Sequence, residues 1–250
     1  MQHKQLVNNL IQEQPYPLLF TVISGAHLFG FPSHDSDIDI RGVHILPLEK
    51  MISLKTPKVT IQLDRIVDGV ELDLTTHDIK KFFELLLHKS GNAVEQVFSP
   101  LVMETTPEHE ELKAIVPQTL TVHHAHHYFG FSQRKWKDFL NKKTAKSLLY
   151  VYRVLLTGIH LMDTHEVQSN ILILNETYKL PFIDELIERK MTHAEKGILP
   201  DADMAFYERE YQQLTRQLEE ARDGSSLPQN PNGKEALSDL LVRIRLSHRQ

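Results

Sequence analysis

The stretch SGAHLFGFPSHDSDIDIRG, residues 24–42, carries the features on which the fold assignment turns. The run Leu18 to Ser24, rich in aromatic and branched residues, predicts a buried strand that ends in a sharp Ser24-Gly25 turn. Ile38 to Leu46 predicts a second strand, stopped by Pro47. Asp37 and Asp39 alternate along that second strand, so both carboxylates share one face about 6.5 Å apart at the backbone, and Arg41 continues the face. Two carboxylates so placed can converge on a pair of divalent ions about 4 Å apart, an arrangement that activates an attacking hydroxyl and neutralises a leaving pyrophosphate. All-oxygen donors suit two Mg2+ or Mn2+ ions. An acid-x-acid pair alone is commonly a solvated strand. Here it follows a strand and a Ser-Gly turn, and an acid-bearing hairpin comes after it.

That hairpin is VTIQLDRIV-DG-VELDLTT, where Asp68-Gly69 supplies the two positive-φ positions of a two-residue turn. Val67 then faces Val70 and Asp64 faces Asp73. Alternation puts Gln62, Asp64, Glu71, Asp73 and Thr75 on one face, and Ile61, Leu63, Val67, Val70, Leu72 and Leu74 on the other. A third carboxylate for the metal site comes from the polar face: Asp73 is the choice, with Glu71 and Asp64 as competitors. Ser24, Gly25 and Ala26, at the turn, offer backbone amides to triphosphate oxygens, and His27 sits in the same loop.

Thr75 is expected to cap a helix bearing Ile79, Phe82, Phe83 and Leu86, which Ser90-Gly91-Asn92 ends. Beyond Pro117 the pattern is helical, over about 120 to 140, 143 to 163, 181 to 190, 204 to 222 and 234 to 247. A short ILIL run reads as strand, and GSSLPQNPNG reads as loop. The expected fold class is therefore α+β: a mixed β-sheet domain with flanking helices over residues 1–118, and a helical domain over 119–250 that packs on the active site.

The chain has 250 residues, 41% of them hydrophobic, enough for a substantial core. It has no cysteine, which excludes disulfides, thiolate zinc sites and a cysteine nucleophile. With neither a leader-like start nor an eighteen-residue apolar run, a cytoplasmic protein without membrane contact is expected. A formal charge of −5 argues against indiscriminate nucleic-acid binding. Locally the balance reverses, because Arg134 to Arg153 holds seven Lys or Arg residues against the single acid Asp138.

On a helix, Lys146, Tyr150, Arg153 and Thr157 form one polar stripe opposite Leu148, Leu149, Leu155 and Leu156. The stripe is expected to face the metal site, with Lys146 and Arg153 neutralising a triphosphate and Tyr150 stacking on base or sugar. A solvated face is the alternative. Phe129, Phe131 and Trp136 lie among these cations, as aromatics that stack on single-stranded bases do, although core packing is commoner. His123, His124, His126 and His127 have neither a neighbouring carboxylate nor a second cluster to make them a metal site, and helix packing and surface exposure account for them.

The run SGAHLFGFPSHDSDIDIRGVHI resembles the signature of the polymerase-β superfamily, and more narrowly that of the RNA-repair-pathway branch of nucleotidyltransferases. LTTHDIKKFFELLLHKSGNAVEQVFSP, HHYFGFSQRKW and KKTAKSLLYVYRVLLTGIHLMDTHEVQSNILILNE extend the likeness over most of the chain. The resemblance implies Asp37 and Asp39 as shared metal ligands, Asp73 as the third acid, and a serine hydroxyl on the triphosphate where this chain has Ala26. The expected activity is transfer of a nucleoside monophosphate from a nucleoside triphosphate to a hydroxyl. The resemblance and the basic stretch together make that hydroxyl an RNA end. The alternatives are a small-molecule or protein acceptor, or a catalytically weakened module that binds nucleotide or RNA, as a sensor or antitoxin-like partner.

Overall fold

The computed structural model describes residues 3–34, 36–55, 57–192, 198–200 and 203–248. In chain order these form α1 (Lys4–Gln12), β1 (Leu18–Ile23), α2 (Gly25–Phe29), β2 (Ile38–His44), α3 (Leu48–Ile52), β3 (Thr60–Val67), β4 (Val70–Asp78), α4 (Ile79–Leu87), α5 (Gly91–Val97), β5 (Val102–Thr105) and α6 (Pro107–Ile115). There follow α7 (His124–Lys142), α8 (Ala145–Thr164), α9 (Ile171–Tyr178), α10 (Pro181–Thr192), α11 (Met204–Gly224) and α12 (Lys234–Ser247). The chain divides into two compact units, one of residues 1–28, 37–119 and 230–250, the other of 29–36 and 120–229.

The first unit is built on a five-stranded mixed sheet of order β3-β4-β2-β1-β5. The pairs are antiparallel except β2 with β4, which run parallel. Asp68 (φ 52) and Gly69 (φ 79) make the expected turn, and Val67 pairs with Val70 and Asp64 with Asp73. On one face of the sheet, Val7, Leu10 and Ile11 of α1 pack on Ile23, Ile38, Ile40, Leu72 and Leu74. Each such side chain, fully buried, contributes about 1.5–3 kcal/mol. The alternation that buries Ile38 and Ile40 leaves Asp39 and Arg41 half-buried on the opposite face.

The strand β4 runs to Asp78, further than the sequence suggests, because its backbone is paired on both sides, with β2 and with β3. Thr75 therefore lies in the sheet and caps nothing. Asp78 is the cap of α4, accepting from the Lys80 amide at 3.0 Å. Ser90-Gly91-Asn92 does not simply end that helix: Lys89 turns the chain at φ 62, and Ser90 caps a new helix, α5. Arg245 of α12 binds the buried Asp78 carboxylate with one nitrogen, at 2.6 and 2.5 Å, and donates to the Leu46 carbonyl with another.

The second unit is helical. In α8 every residue from Val151 to Ile159 is buried, which helix α7, α10 and α11 packing around it explains. Gly158 allows the close approach of α7, since a Cβ there would lie 2.8 Å from that of Tyr128. The run ILIL is not a strand. Asn170 accepts from the Leu172 amide and caps it as helix α9, so a local cap decides what four apolar residues leave ambiguous.

Candidate active site

The strand β2 presents Asp39 and Arg41 on one face, and its parallel neighbour presents Asp73 and Thr75 beside them, with Asp39 paired to Asp73 and Arg41 to Thr75. One guanidinium nitrogen of Arg41 donates to Asp39 Oδ1 at 2.7 Å and to Asp73 Oδ2 at 3.0 Å. The other donates to the carbonyls of Asp73 and Ile40. Thr75 donates its hydroxyl to Asp73 Oδ1 at 3.2 Å, which fixes the carboxylate's rotation. Asp37 is exposed at the entry to β2. Asp64 and Glu71 are exposed as well, whereas Asp73 is half-buried beside Asp39.

Burial pushes the Asp39 carboxyl above the usual carboxylate range; Arg41 opposes this, while Asp73 and Asp37 add to it. His27 is close enough to pull the same carboxyl down slightly. A second cation at this face would therefore relieve a charge that Arg41 compensates only in part. The donors are carboxylate oxygens, the type that hard divalent ions take, so Asp37, Asp39 and Asp73 fit Mg2+ or Mn2+ in chemical kind. Among the described residues no three His, Asp or Glu side chains stand gathered in a metal-holding cluster; Asp39 and Asp73 meet through Arg41.

Gly25 explains the turn before the loop. Its φ is +58, and a Cβ there would lie 1.8 Å from Asp39 Oδ2, so only glycine brings the Ser24-Gly25-Ala26 backbone against that carboxylate. The Ser24 amide donates to the Asp39 carbonyl at 2.8 Å, tying the turn to β2. Ala26 is buried and His27 half-buried in the helix α2 that starts here.

The residues expected on the basic helix are placed differently. Lys146 and Tyr150 line a cavity of about 580 Å³ with Lys135, Lys142, Thr144 and Ser147. Arg153 and Thr157, by contrast, lie wholly in the interior of the second unit. The Arg153 guanidinium sits 3.9 Å from the centre of the Phe29 ring, and Thr157 donates to the Gln168 carbonyl. A solvated face therefore does not describe this stripe. Trp136 is stacked on Tyr211 with ring centres 4.4 Å apart. His124 is buried and bonded to Thr121, while His123 stacks on His126, which is exposed.

A mixed sheet with Asp39 on one strand and Asp37 at its entry, Asp73 on the neighbouring strand and a glycine turn against Asp39 is a polymerase-β-type nucleotidyltransferase fold. The chain belongs to the RNA repair pathway DNA polymerase beta family, whose model matches residues 2–243. It is 30% identical over 156 residues to an uncharacterized protein of Methanocaldococcus jannaschii, MJ0002, covering 61% of this chain and 63% of that one. It is 27% identical over 144 residues to the uncharacterized protein YcgL of Bacillus subtilis, covering 56% of this chain and 54% of that one. The chain thus spans somewhat over half the length of these relatives. A nucleotidyltransferase-like protein from Exiguobacterium sibiricum superposes with a TM-score of 0.34 at 13% identity, covering 99% of this chain and 76% of that one. No helix among the described residues is long and apolar enough to cross a membrane.

Proposed function

We propose that the chain transfers a nucleoside monophosphate from a nucleoside triphosphate to a hydroxyl, with an RNA end as the acceptor. The observation that carries this reading is the pairing of Asp39 with Asp73 across parallel strands, with one Arg41 nitrogen on both carboxylates. Asp37, Asp39 and Asp73 would hold two Mg2+ or Mn2+ ions, which when bound supply charge neutralisation for the pyrophosphate and a lowered pKa for the acceptor hydroxyl. Asp73, oriented by Thr75, assists removal of the hydroxyl proton. Arg41 holds the two carboxylates together and supplies positive charge to the nucleotide side. Ser24, Gly25, Ala26 and His27 provide the backbone and ring that the triphosphate lies against.

Lys135, Lys142 and Lys146 line a cavity with one acid, Asp138, among its described residues, and this charge suits phosphate. At this cavity Lys146 is assigned to phosphate and Tyr150 to base or sugar, whereas Arg153, fully buried against Phe29, is withdrawn from that role. RNA as acceptor is supported by the family's description and by this lysine cluster. Incubation with triphosphates labelled at the α-phosphate, against RNA, DNA, protein and small-molecule acceptors, tests the assignment. Label appearing on RNA supports it, and label appearing solely on another class of acceptor transfers the activity to that class.

A second reading is a module that binds nucleotide or RNA without turnover, in the manner of a sensor or antitoxin-like partner. Ala26, buried and lacking a hydroxyl, favours it. Calorimetry showing triphosphate or RNA binding, with no transfer at any Mg2+ or Mn2+ concentration, would select this reading over the first.

A further inference from the structure

We infer that Lys190 is a positioning residue for the loop that leads into the acid pair. It lies on α10, far from residues 24–42 in sequence, and its side chain is buried at 4% exposure. Its ammonium donates to the Phe31 carbonyl at 2.6 Å, to Ser33 Oγ at 3.0 Å and to Ser36 Oγ at 3.4 Å. A lysine ammonium has three donors and is costly to bury without acceptors, so three oxygens from one six-residue stretch constitute a built clamp. Its charge also lies 5.5 Å from the centre of the Phe31 ring.

The clamp is reinforced on either side. Ser33 and Ser36 close a turn on each other, the Ser33 amide donating to Ser36 Oγ at 2.9 Å and the Ser36 amide to the Ser33 carbonyl at 3.0 Å. Upstream, Gly30 has φ +89, and a Cβ there would lie 2.2 Å from Asn170 Oδ1, so the backbone passes directly against the residue that caps α9. Phe29 lies under Arg153, and Phe31 meets Tyr150 edge-on. Ser36 is the residue before Asp37. The last oxygen held by Lys190 thus belongs to the residue that adjoins the first acid of the pair, and the ammonium fixes the loop up to that residue. Lys190 touches no reacting group in this account; it acts through Phe31, Ser33 and Ser36.

This inference rests on the metal-site reading for its catalytic consequence, but its structural half stands apart. The test is hydrogen exchange of the Phe31, Ser33 and Ser36 amides together with Mn2+ calorimetry, in wild type, Lys190→Met, Lys190→Arg and Ser33→Ala/Ser36→Ala. Lys190→Met and the double serine variant are expected to exchange at least tenfold faster at these amides. Both are also expected to bind Mn2+ at least fivefold more weakly, with the amides of β1 and β2 as protected as in wild type. Lys190→Arg, which keeps the charge, recovers part of both. Unchanged loop exchange in a folded Lys190→Met, or in the serine variant should the first not fold, overturns the positioning role. Faster loop exchange with unchanged Mn2+ affinity likewise overturns it, leaving a purely structural lysine. Absence of Mn2+ binding in wild type counts against the metal-site reading instead, and the exchange result still decides whether Lys190 holds the loop.

Discussion

Asp39 and Asp73 stand opposite one another in the parallel register of β2 and β4, and a single nitrogen of Arg41 reaches both carboxylates. Of the three acids on the polar face of the hairpin, only Asp73 has this relation to Asp39 together with a half-buried position. Asp73→Asn is expected to lower metal-dependent transfer on the order of 100-fold or more, because each factor of ten is about 1.4 kcal/mol and a metal ligand supplies several. Asp64→Asn and Glu71→Gln should remain within about threefold of wild type in the same assay. Equal losses from all three would remove the basis for choosing Asp73.

Two of the positive-φ glycines, Gly69 and Gly25, separate backbone strain from crowding at the site. Gly69 has φ +79 with nothing within 4 Å of an added Cβ, so Gly69→Ala should cost about 1 kcal/mol and leave transfer unchanged. Gly25→Ala carries the same strain and drives a methyl into Asp39, so it should cost more and abolish transfer. Thermal melting and the transfer assay, run in parallel on both variants, check the contrast. Gly25→Ala retaining full transfer would show that the turn does not hold Asp39.

Burial lowers the buried His44 imidazole to about 4, Asp78 opposing and His77 and Arg245 adding. The unfolded chain takes up this proton near pH 6.5, so the stability is present above that value and is lost as pH falls toward 4. The loss between pH 7 and 5 is about 2 kcal/mol for one such group. His77 and His127, both lowered to about 4 chiefly by burial, act in the same direction. Urea unfolding at the two pH values should show the drop, and His44→Gln should flatten it; an unchanged slope in that variant would assign the pH dependence elsewhere.

Arg245 reaches Asp78 and the Leu46 carbonyl from the last helix, and both charges are buried. Arg245→Met strands the carboxylate and should cost about 3–5 kcal/mol. That corresponds to a melting temperature lower by on the order of 10 °C. Adding Asp78→Asn should recover part of the loss, since the stranded charge is gone while a cap oxygen remains. A single variant that melts as wild type would show that this ion pair is dispensable.

The hairpin was legible because Asp68-Gly69 permits few backbone geometries, and one pair, Val67 with Val70, fixes every other. The parallel pairing that sets Asp39 against Asp73 was not. It joins strands separated by α3 and β3, and no local residue encodes such a register. The resemblance pointed to the acids, while only the fold brought Arg41 between them. The burial of Arg153 was hidden because Lys146, Tyr150 and Thr157 at helical spacing imitate a polar face. Lys190 was invisible for a related reason: a lysine in a helix reads as solvated until a loop 157 residues away is seen against it.

The central claim is that the acids of residues 37–39 support nucleotidyl transfer. Incorporation of α-labelled nucleotide into RNA, with Mg2+ or Mn2+, compared between wild type and Asp37→Ala/Asp39→Ala, tests it most directly. Divalent-dependent labelling is expected of wild type, and none of the folded double variant. Equal labelling by the two would contradict it.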